Sequence, residues 1–223
     1  MIVVLNKVKG KVVVTAPGFL GQKLGMTQVF DETGSAIAVT VVEVLDMTVT
    51  QVKTKETDGY DAIQVGVIEA KPKHLTKARQ GHLTKNELPL FRTLKEFRVS
   101  KEVVATYKVG DKVDLSFLET QGLLLNFTGQ SIGKGTMGCI RRWGHHRGPM
   151  SHGSKNHRLP GSIGAGTTPG RVYRGLQMSG RTGNATVTVQ NLPVVRYIAD
   201  KNVVLVRGSV PGAEGGLLIA KVR

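Results

Sequence analysis

The chain has 223 residues, of which 40% are hydrophobic, and a net charge of +15. This length allows one large domain with a buried hydrophobic core, and the composition excludes a wholly disordered chain. The single cysteine, Cys139, excludes an internal disulfide and favours a reducing compartment. No apolar run approaches the ~20 residues that span a bilayer, and the lysine-broken valine runs of residues 1–19 do not form a signal-peptide core.

Residues 1–19 are predicted to form a basic N-terminal extension, either a strand pair or a basic arm. Short β-branched runs separated by turn signals follow, which is typical of an antiparallel barrel or sandwich. The predicted strands are Ala36–Val44, Val49–Lys53, Ala62–Ile68, Val187–Leu192, Val194–Ile198 and Val203–Arg207. Between Pro72 and Arg98 the sequence is charged and lacks alternation, which predicts a small insertion with one or two short helices.

From Gly133 to Asn184 the strand pattern is lost, and glycine and proline are frequent. A disordered linker is one interpretation of such a composition. Strand-like runs on both sides favour a different interpretation, in which this segment is an arm that leaves the β-core and returns to it.

The positive charge is concentrated around this arm. Residues 120–199 carry ten Lys and Arg and no Asp or Glu, whereas residues 1–119 carry 17 basic and 14 acidic residues. A solvated basic surface normally has acidic residues interspersed. Eighty residues without one therefore predict a surface that lies against a polyanion.

The arm also contains patterns that mark catalytic or nucleotide sites in other proteins. Residues 133–138 read GKGTMG, a literal G-x-G-x-x-G, but no acidic residue follows ~20 residues later and the flanking pattern is antiparallel rather than βαβ. Ser151 precedes His152, but a serine nucleophile needs a base that an acid usually orients. The arm contains no carboxylate, so both interpretations are weaker than polyanion binding.

The histidines of the arm raise the question of a metal site. They are His145, His146, His152 and His157, with Cys139 nearby. A closed zinc site needs about four ligands and favours paired cysteines, and the local Arg and Lys side chains would oppose a dication. In this basic segment the histidines are better interpreted as groups that stack on bases or donate to phosphates.

Nucleic-acid binding, and RNA binding in particular, is the interpretation that accounts for most of these features. Arginine outnumbers lysine seven to two along the arm, which suits bidentate phosphate contacts and stacking on bases. Trp143 and Tyr173 are predicted either to stack on unpaired bases or to anchor the arm to the barrel. Without RNA the arm is expected to be poorly ordered. The predicted RNA-binding residues are Lys134, Arg141, Arg142, Trp143, Arg147, His152, Lys155, His157, Arg158, Arg171, Arg174 and Arg181.

Four motifs carry a family resemblance. They are LGQKLGMTQVF (residues 20–30), SIGKG (131–135), SHGSKNHRLPGSIGAGTTPGRVY (151–173) and VRGSVPG (206–212). Together they resemble the bacterial-type L-three family, the third protein of the large ribosomal subunit. The resemblance extends from about residue 20 to the C-terminus.

This resemblance implies a mainly β fold: a six-stranded translation-protein-type β-barrel with an irregular α+β insertion at about 70–110 and a long extended basic arm. The barrel would comprise residues 20–132 and 185–223, and the arm residues 133–184. It implies a structural constituent of the large subunit, not an enzyme, that binds 23S-type rRNA near its 3′ domain and nucleates assembly. The implied protein neighbours are the fourteenth and nineteenth large-subunit proteins.

The resemblance also implies that the arm reaches toward the peptidyl-transferase centre. Its tip would be Leu159, Pro160, Gly161, Ser162, Ile163, Gly164, Ala165, Gly166, Thr167 and Thr168. The tip has no charge, while both of its flanks are basic. No cofactor, membrane or small-molecule substrate is implied, and structural Mg²⁺ would belong to the rRNA.

Three departures from the family pattern affect these expectations. Ala165 replaces a glutamine that many bacterial members methylate, Thr136 stands where phenylalanine is usual, and Trp143 and His145 are unusual within RRWGHHRG. The root of the arm is therefore expected to pack differently. About nineteen residues precede Leu20 where bacterial members have only a few, and the motifs KTKETDGYDAIQVG and GSIGAGTTPGRVY resemble cyanobacterial and plastid members. A plastid ribosome is therefore favoured, with a bacterial one as the alternative.

Overall fold

The computed structural model describes residues 6–8, 11–13, 18–120 and 122–222, which are mainly β-structure. The strands are β1 (Asn6–Val8), β2 (Lys11–Val13), β3 (Phe19–Phe30), β4 (Ala36–Val44), β5 (Thr48–Lys53), β6 (Ala62–Glu69), β7 (Phe91–Arg98), β8 (Leu124–Gln130), β9 (Gly135–Met137), β10 (Gly180–Thr182), β11 (Thr186–Ile198), β12 (Val203–Arg207) and β13 (Leu217–Val222). The α-helices are α1 (Lys55–Asp58), α2 (Lys77–Thr84), α3 (Lys101–Thr106) and α4 (Cys139–Trp143). None of these helices is long and apolar enough to cross a membrane.

The described residues divide into two compact units. The first comprises the chain up to Gln130 and from Val187 onward, and the second comprises Ser131–Thr186. The main sheet of the first unit has six strands in the order β11-β12-β4-β3-β13-β8. The outer strands of this order are neighbours: the Thr128 and Thr188 hydroxyl oxygens are 2.8 Å apart, and the Val194 N–H donates to the Leu123 carbonyl over 3.0 Å.

The period-2 pattern of these strands produces one buried face. Alternate residues of β8 and β12 are buried, among them Leu125, Phe127 and Val206. The rings of Phe19 and Phe127 meet edge to face, with 6.1 Å between their centroids. Gly21 has no room for a side chain, since a Cβ there would come within 2.7 Å of the Val42 side chain. The core lies along this inner face and continues through Val49, Ile63 and Phe97 of strands β5, β6 and β7.

A second antiparallel sheet in the first unit consists of β5, β6 and β7. A 3₁₀ turn, Pro72–His74, and α2 lie between β6 and β7. The prediction of one or two short helices between Pro72 and Arg98 is confirmed by α2 and the 3₁₀ turn, whereas strand β7 was not predicted. Charged side chains hide the alternation of β7, in which Phe91 and Phe97 are buried. Strand β6, which is rich in β-branched residues, pairs with β7 along its whole length.

The predicted strands agree with the structure where local patterns are strong. β4 and β12 have the predicted bounds, and β11 is one strand where two were predicted. Pro193 interrupts the pattern of β11, but a register shift between Val194 and Arg196 accommodates it. Near the N-terminus β1 pairs with β2, which is the strand-pair alternative, while residues 1–5, 9–10 and 14–17 lie outside the described part of the chain.

The second unit contains more regular structure than its sequence predicts. β9 pairs antiparallel with β10, with Thr136 opposite Arg181, and α4 begins two residues after β9. The predicted loss of strand structure from Gly133 to Asn184 is therefore wrong near both ends of that segment. Three-residue strands are too short for alternation to appear in the sequence.

Candidate nucleic-acid interface

The second unit carries nine Lys and Arg side chains and no Asp or Glu. Eight of the nine cations are exposed, and Arg142 is half-buried. The salt bridge found among the described residues, between Lys53 and Glu96, lies in the first unit. The charges of the second unit are therefore left for counterions or an external polyanion to neutralise.

Arg142 and Trp143, near the start of the arm, donate hydrogen bonds to Met178, near its end. The Arg142 guanidinium donates to the carbonyl oxygen of Met178 over 3.0 Å, and the indole N–H of Trp143 donates to the same oxygen over 2.9 Å. The Arg142 guanidinium carbon is 4.9 Å from the centre of the Trp143 ring. Buried Cys139 has its Sγ 3.8 Å from the Gln177 carbonyl oxygen. We call these five residues the root cluster.

The root cluster changes the interpretation of Arg142 and Trp143. Both had been predicted as RNA contacts, and both donate within the arm itself. Gly180 belongs to the same arrangement, because a Cβ at that position would overlap the Arg142 guanidinium. The indole of Trp143 is still 44% exposed, so its outer face remains accessible.

Two of the four arm histidines have defined partners. His145 Nε2 lies 2.8 Å from Gln177 Oε1, and His157 Nδ1 lies 2.9 Å from the Pro149 carbonyl oxygen. The Gly148 N–H donates to the His157 carbonyl over 3.0 Å, which closes a loop on the side of the arm that precedes the tip. Gly148 must lack a side chain, because a Cβ would overlap the Asn156 carbonyl.

The other two histidines, His146 and His152, are exposed, and His152 has a left-handed backbone with φ of 55°. Nowhere in the part of the chain that the structure describes do three or more His, Cys, Asp or Glu side chains gather where they could hold a metal ion. The second unit also has no carboxylate that could orient a base beside Ser151.

The predicted tip, Leu159–Thr168, is exposed throughout. Gly161 and Gly166 have φ of 84° and 87°, and no atom lies within 4 Å of a Cβ built at either one or at Gly164. A surface cavity of about 260 Å³ is lined by Pro160, Ser162 and Ile163 of the tip and by His145, Gly175, Leu176 and Gln177. Part of the predicted tip thus lies beside the chain near the root cluster.

The remaining predicted contacts lie on both sides of this tip. Arg147, Lys155 and Arg158 precede it, Arg171 and Arg174 follow it, and all five are exposed. Lys134, Arg141 and Arg181 are exposed near β9, α4 and β10. The residue that the sequence analysis missed is Gln177, which contacts His145 and Cys139. No local pattern marks it, because its partners are 32 and 38 residues away in the chain.

Similarity to known proteins decides the family. The family model described as Ribosomal protein L3 matches residues 99–204, which include the whole second unit. Large ribosomal subunit protein uL3 of Trichormus variabilis is 53% identical over 201 residues, which are 90% of this chain and 94% of that protein. The chain belongs to the uL3 family.

Further uL3 relatives give the same answer. A Synechococcus protein is 51% identical over 91% of this chain and 94% of its own length. The Thermosynechococcus vestitus protein is 48% identical over 90% of this chain and 93% of its own length. These relatives are cyanobacterial, and the family resemblance seen in the motifs is confirmed. The uL3 family consists of ribosomal proteins, a structural and non-enzymatic kind of protein.

Proposed function

We propose that this chain is a structural constituent of the large ribosomal subunit that binds 23S-type rRNA directly through the second unit. The observation that carries this proposal is the unit of 56 residues with nine cations, eight of them exposed, and no carboxylate. Cations without internal partners favour phosphate contacts, and arginine favours bidentate ones. The family membership supplies the identity of the polyanion, since its members are large-subunit proteins.

The second unit acts, in this proposal, as the arm that approaches the peptidyl-transferase centre. The basic flanks hold phosphates, and the small neutral tip, Leu159–Thr168, enters a crowded part of the RNA. Its glycines suit this role, because backbone without side chains can approach RNA closely. His152 and His157, which precede the tip, donate hydrogen bonds to the RNA or stack on its bases. Lys134, Arg141 and Arg181 bind phosphates near the root of the arm.

The first unit is proposed to be a translation-protein-type barrel that binds near the 3′ domain of the rRNA and nucleates assembly. The strand order β11-β12-β4-β3-β13-β8 and the contacts between β8 and β11 support closure of the six strands. The fourteenth and nineteenth large-subunit proteins are the proposed neighbours. No cofactor is required, and Mg²⁺ would be held by the rRNA. The proposed location is a plastid ribosome, with a bacterial one as the alternative; cyanobacterial relatives fit both.

Fractionation of ribosomes at rising salt tests this function. The tagged chain is expressed in a cyanobacterium, and gradients are run at low, moderate and high salt. A structural constituent remains with the large subunit at every step below subunit disruption. Release at moderate salt would instead indicate a soluble factor that binds the ribosome transiently, and would contradict the proposal.

A glycine variant tests the tip separately from the fold. Gly166→Val places a branched side chain where the isolated chain has open space, so the arm alone tolerates it apart from the left-handed φ. Gly59→Val is the matched control, because Gly59 has φ of 82°, open space and a place in the first unit. We expect Gly166→Val, but not Gly59→Val, to deplete large subunits or slow peptide-bond formation. Normal subunits and normal peptide-bond formation with Gly166→Val would show that the tip does not enter a crowded site.

A further inference from the structure

A second basic stretch without acidic residues lies in the first unit, outside the arm. Residues 70–86 carry five Lys and Arg, two His and no Asp or Glu. They include the 3₁₀ turn Pro72–His74 and α2, which connect β6 to β7. The charge of this stretch does not belong to the interface described above, so it calls for its own explanation.

A surface cavity of about 470 Å³ opens where β6 ends and β7 begins. Its lining residues are Ile68, Glu69, Ala70, Lys71, Lys73, His74 and Arg92. Two lysines, one arginine and one histidine thus share this cavity with a single carboxylate. The cavity collects positive charge from two separate parts of the chain, since Arg92 comes from β7 and the others from the end of β6 and the turn.

Packing holds the turn that carries Lys71 and Lys73. Pro72 occupies the first position of the 3₁₀ turn, where its fixed φ suits the turn. The side-chain amide of Gln80 donates to the carbonyl oxygens of Pro72 and Leu75 over 2.7 and 2.9 Å. Leu75 is buried. The spacing of the two lysines is therefore set by the fold before any ligand binds.

The strand side of the cavity has an unusual backbone. Ile68 has φ of 60°, in the left-handed region that a β-branched residue rarely adopts. It lies between two regular pairs of the ladder, Val67 with Thr93 and Glu69 with Phe91, and therefore across from Arg92. Such conformations are more frequent at functional sites than elsewhere.

The cations of the cavity have no partner within the described residues. Lys71, Lys73 and Arg92 are exposed and take part in no salt bridge or side-chain hydrogen bond there, in contrast to Lys53, which pairs with Glu96. The apolar lining consists of Ile68 and Ala70, without a Phe, Tyr or Trp side chain. A docking site for a protein would normally offer a desolvated aromatic or apolar anchor, so this chemistry favours phosphate.

We propose that this cavity is a second RNA contact, in which Lys71, Lys73 and Arg92 bind consecutive phosphates of an RNA backbone. His74 adds a hydrogen-bond donor. The contact rests on the rRNA binding proposed for the first unit and assigns it to named residues, and it does not depend on the charges of Ser131–Thr186. Phosphate contacts of this kind position a protein on RNA without reading its sequence.

The test uses the full chain and two triple variants with the same change in charge. The cavity variant is Lys71→Gln with Lys73→Gln and Arg92→Gln. The control is Lys101→Gln with Lys108→Gln and Lys112→Gln, three exposed lysines of the same unit. Binding to a transcript of the 3′ domain of a cyanobacterial large-subunit rRNA is measured at several salt concentrations. Each lost phosphate contact reduces the slope of log K against log salt by about 0.7–0.9. We therefore expect a slope shallower by about 2–3 for the cavity variant and by less than about 1 for the control.

Acetylation of lysines in the wild-type chain provides a readout that does not depend on the variants folding. With the transcript bound, Lys71 and Lys73 should react at least about threefold more slowly, and Lys101, Lys108 and Lys112 at an unchanged rate. Equal slopes for the two variants, or unprotected Lys71 and Lys73, would overturn the proposal. If a polyglutamate peptide but not the transcript protected Lys71 and Lys73 from acetylation, the partner would be an acidic protein. If only inorganic phosphate protected them, the cavity would be a small-anion site. Either result would also overturn the proposal. An Arg171→Gln, Arg174→Gln variant tests the arm in parallel, so the two interfaces can fail separately.

Discussion

Trp143→Ala tests whether the root cluster holds the two ends of the arm together. The indole N–H of Trp143 and the guanidinium of Arg142 donate to one carbonyl oxygen, that of Met178. Truncation removes the first donor directly. It also removes the aromatic ring whose centre lies 4.9 Å from the Arg142 guanidinium carbon. The Arg142 guanidinium, the second donor, therefore loses its cation–π contact.

The magnitude follows from these two contacts. One hydrogen bond contributes about 0.5–1.5 kcal/mol net, and the 44% exposure of Trp143 favours the lower half of that range. An exposed cation–π contact contributes about 0.5–1 kcal/mol. Truncation should therefore cost about 1–2 kcal/mol of local stability, which raises the local opening constant about 5- to 30-fold. Trp143→Phe keeps a ring and should give the smaller effect, about 2- to 5-fold.

Hydrogen exchange of the isolated protein measures this opening, because exchange of paired amides reports local unfolding. The informative amides lie in β9 and β10 and at Lys134, whose N–H donates to the Thr182 carbonyl over 2.9 Å. Tyr173→Ala is the control, since Tyr173 is 63% exposed and its hydroxyl has no partner among the described residues. Exchange within twofold of wild type in Trp143→Ala would refute the reasoning. Trp143 would then not stabilise the arm, and an RNA contact would be its remaining proposed role.

Three further outcomes are expected. Gly183→Ala should speed exchange of the β9 and β10 amides more than about tenfold, because Gly183 has φ of 75° and a Cβ would overlap the Ile132 carbonyl. Gly166→Ala is the control: its Cβ would lie in open space, so the same amides should exchange within about twofold of the wild-type rate. Similar effects of the two variants would contradict the geometry. The hydrogen bond from Lys53 lowers the pKa of Glu96 in the folded protein. The Lys53–Glu96 pair therefore stabilises the fold by about 0.2–1 kcal/mol at neutral pH. This stabilisation is lost as the pH falls from about 4.5, the ordinary value, through the lower folded pKa. Urea unfolding should show a flatter loss of stability between about pH 5 and 3 for Glu96→Gln than for wild type, and parallel curves would argue against the pair. Finally, if all ten cations of residues 120–199 met phosphates, log K for an rRNA fragment against log salt would slope by up to about −9 on duplex and −7 on single strands; a slope shallower than about −3 would mean that this segment is not the main electrostatic contact.

Much of the β-core could be predicted from the sequence because its signals are local. β4 and β12 are runs of β-branched residues bounded by turns, and both have the predicted bounds. β7 was missed because only Phe91 and Phe97 of its eight residues are buried. Its strand conformation depends on pairing with β6, and a pairing partner far along the chain leaves no mark in the local pattern.

The candidate interface divides in the same way. The absence of acidic residues between 120 and 199 is a property of the composition, and it pointed to a polyanion before any fold was known. The role of each cation is not a property of composition. Arg142 and Arg141 are adjacent and alike in the sequence, yet the structure uses Arg142 to bind Met178 and leaves Arg141 exposed.

The sequence by itself determined the family motifs, the charge of the arm and the strands with strong alternation. Only the tertiary structure decided which basic residues have internal partners and which are gathered into one cavity. Trp143 meets Met178 across 35 residues, and Arg92 joins Lys71 and Lys73 only because β7 pairs with β6. The physical reason is that hydrogen bonds and electrostatic clusters depend on distance in space. Strand register sets that distance, and the spacing of residues along the chain does not reveal it.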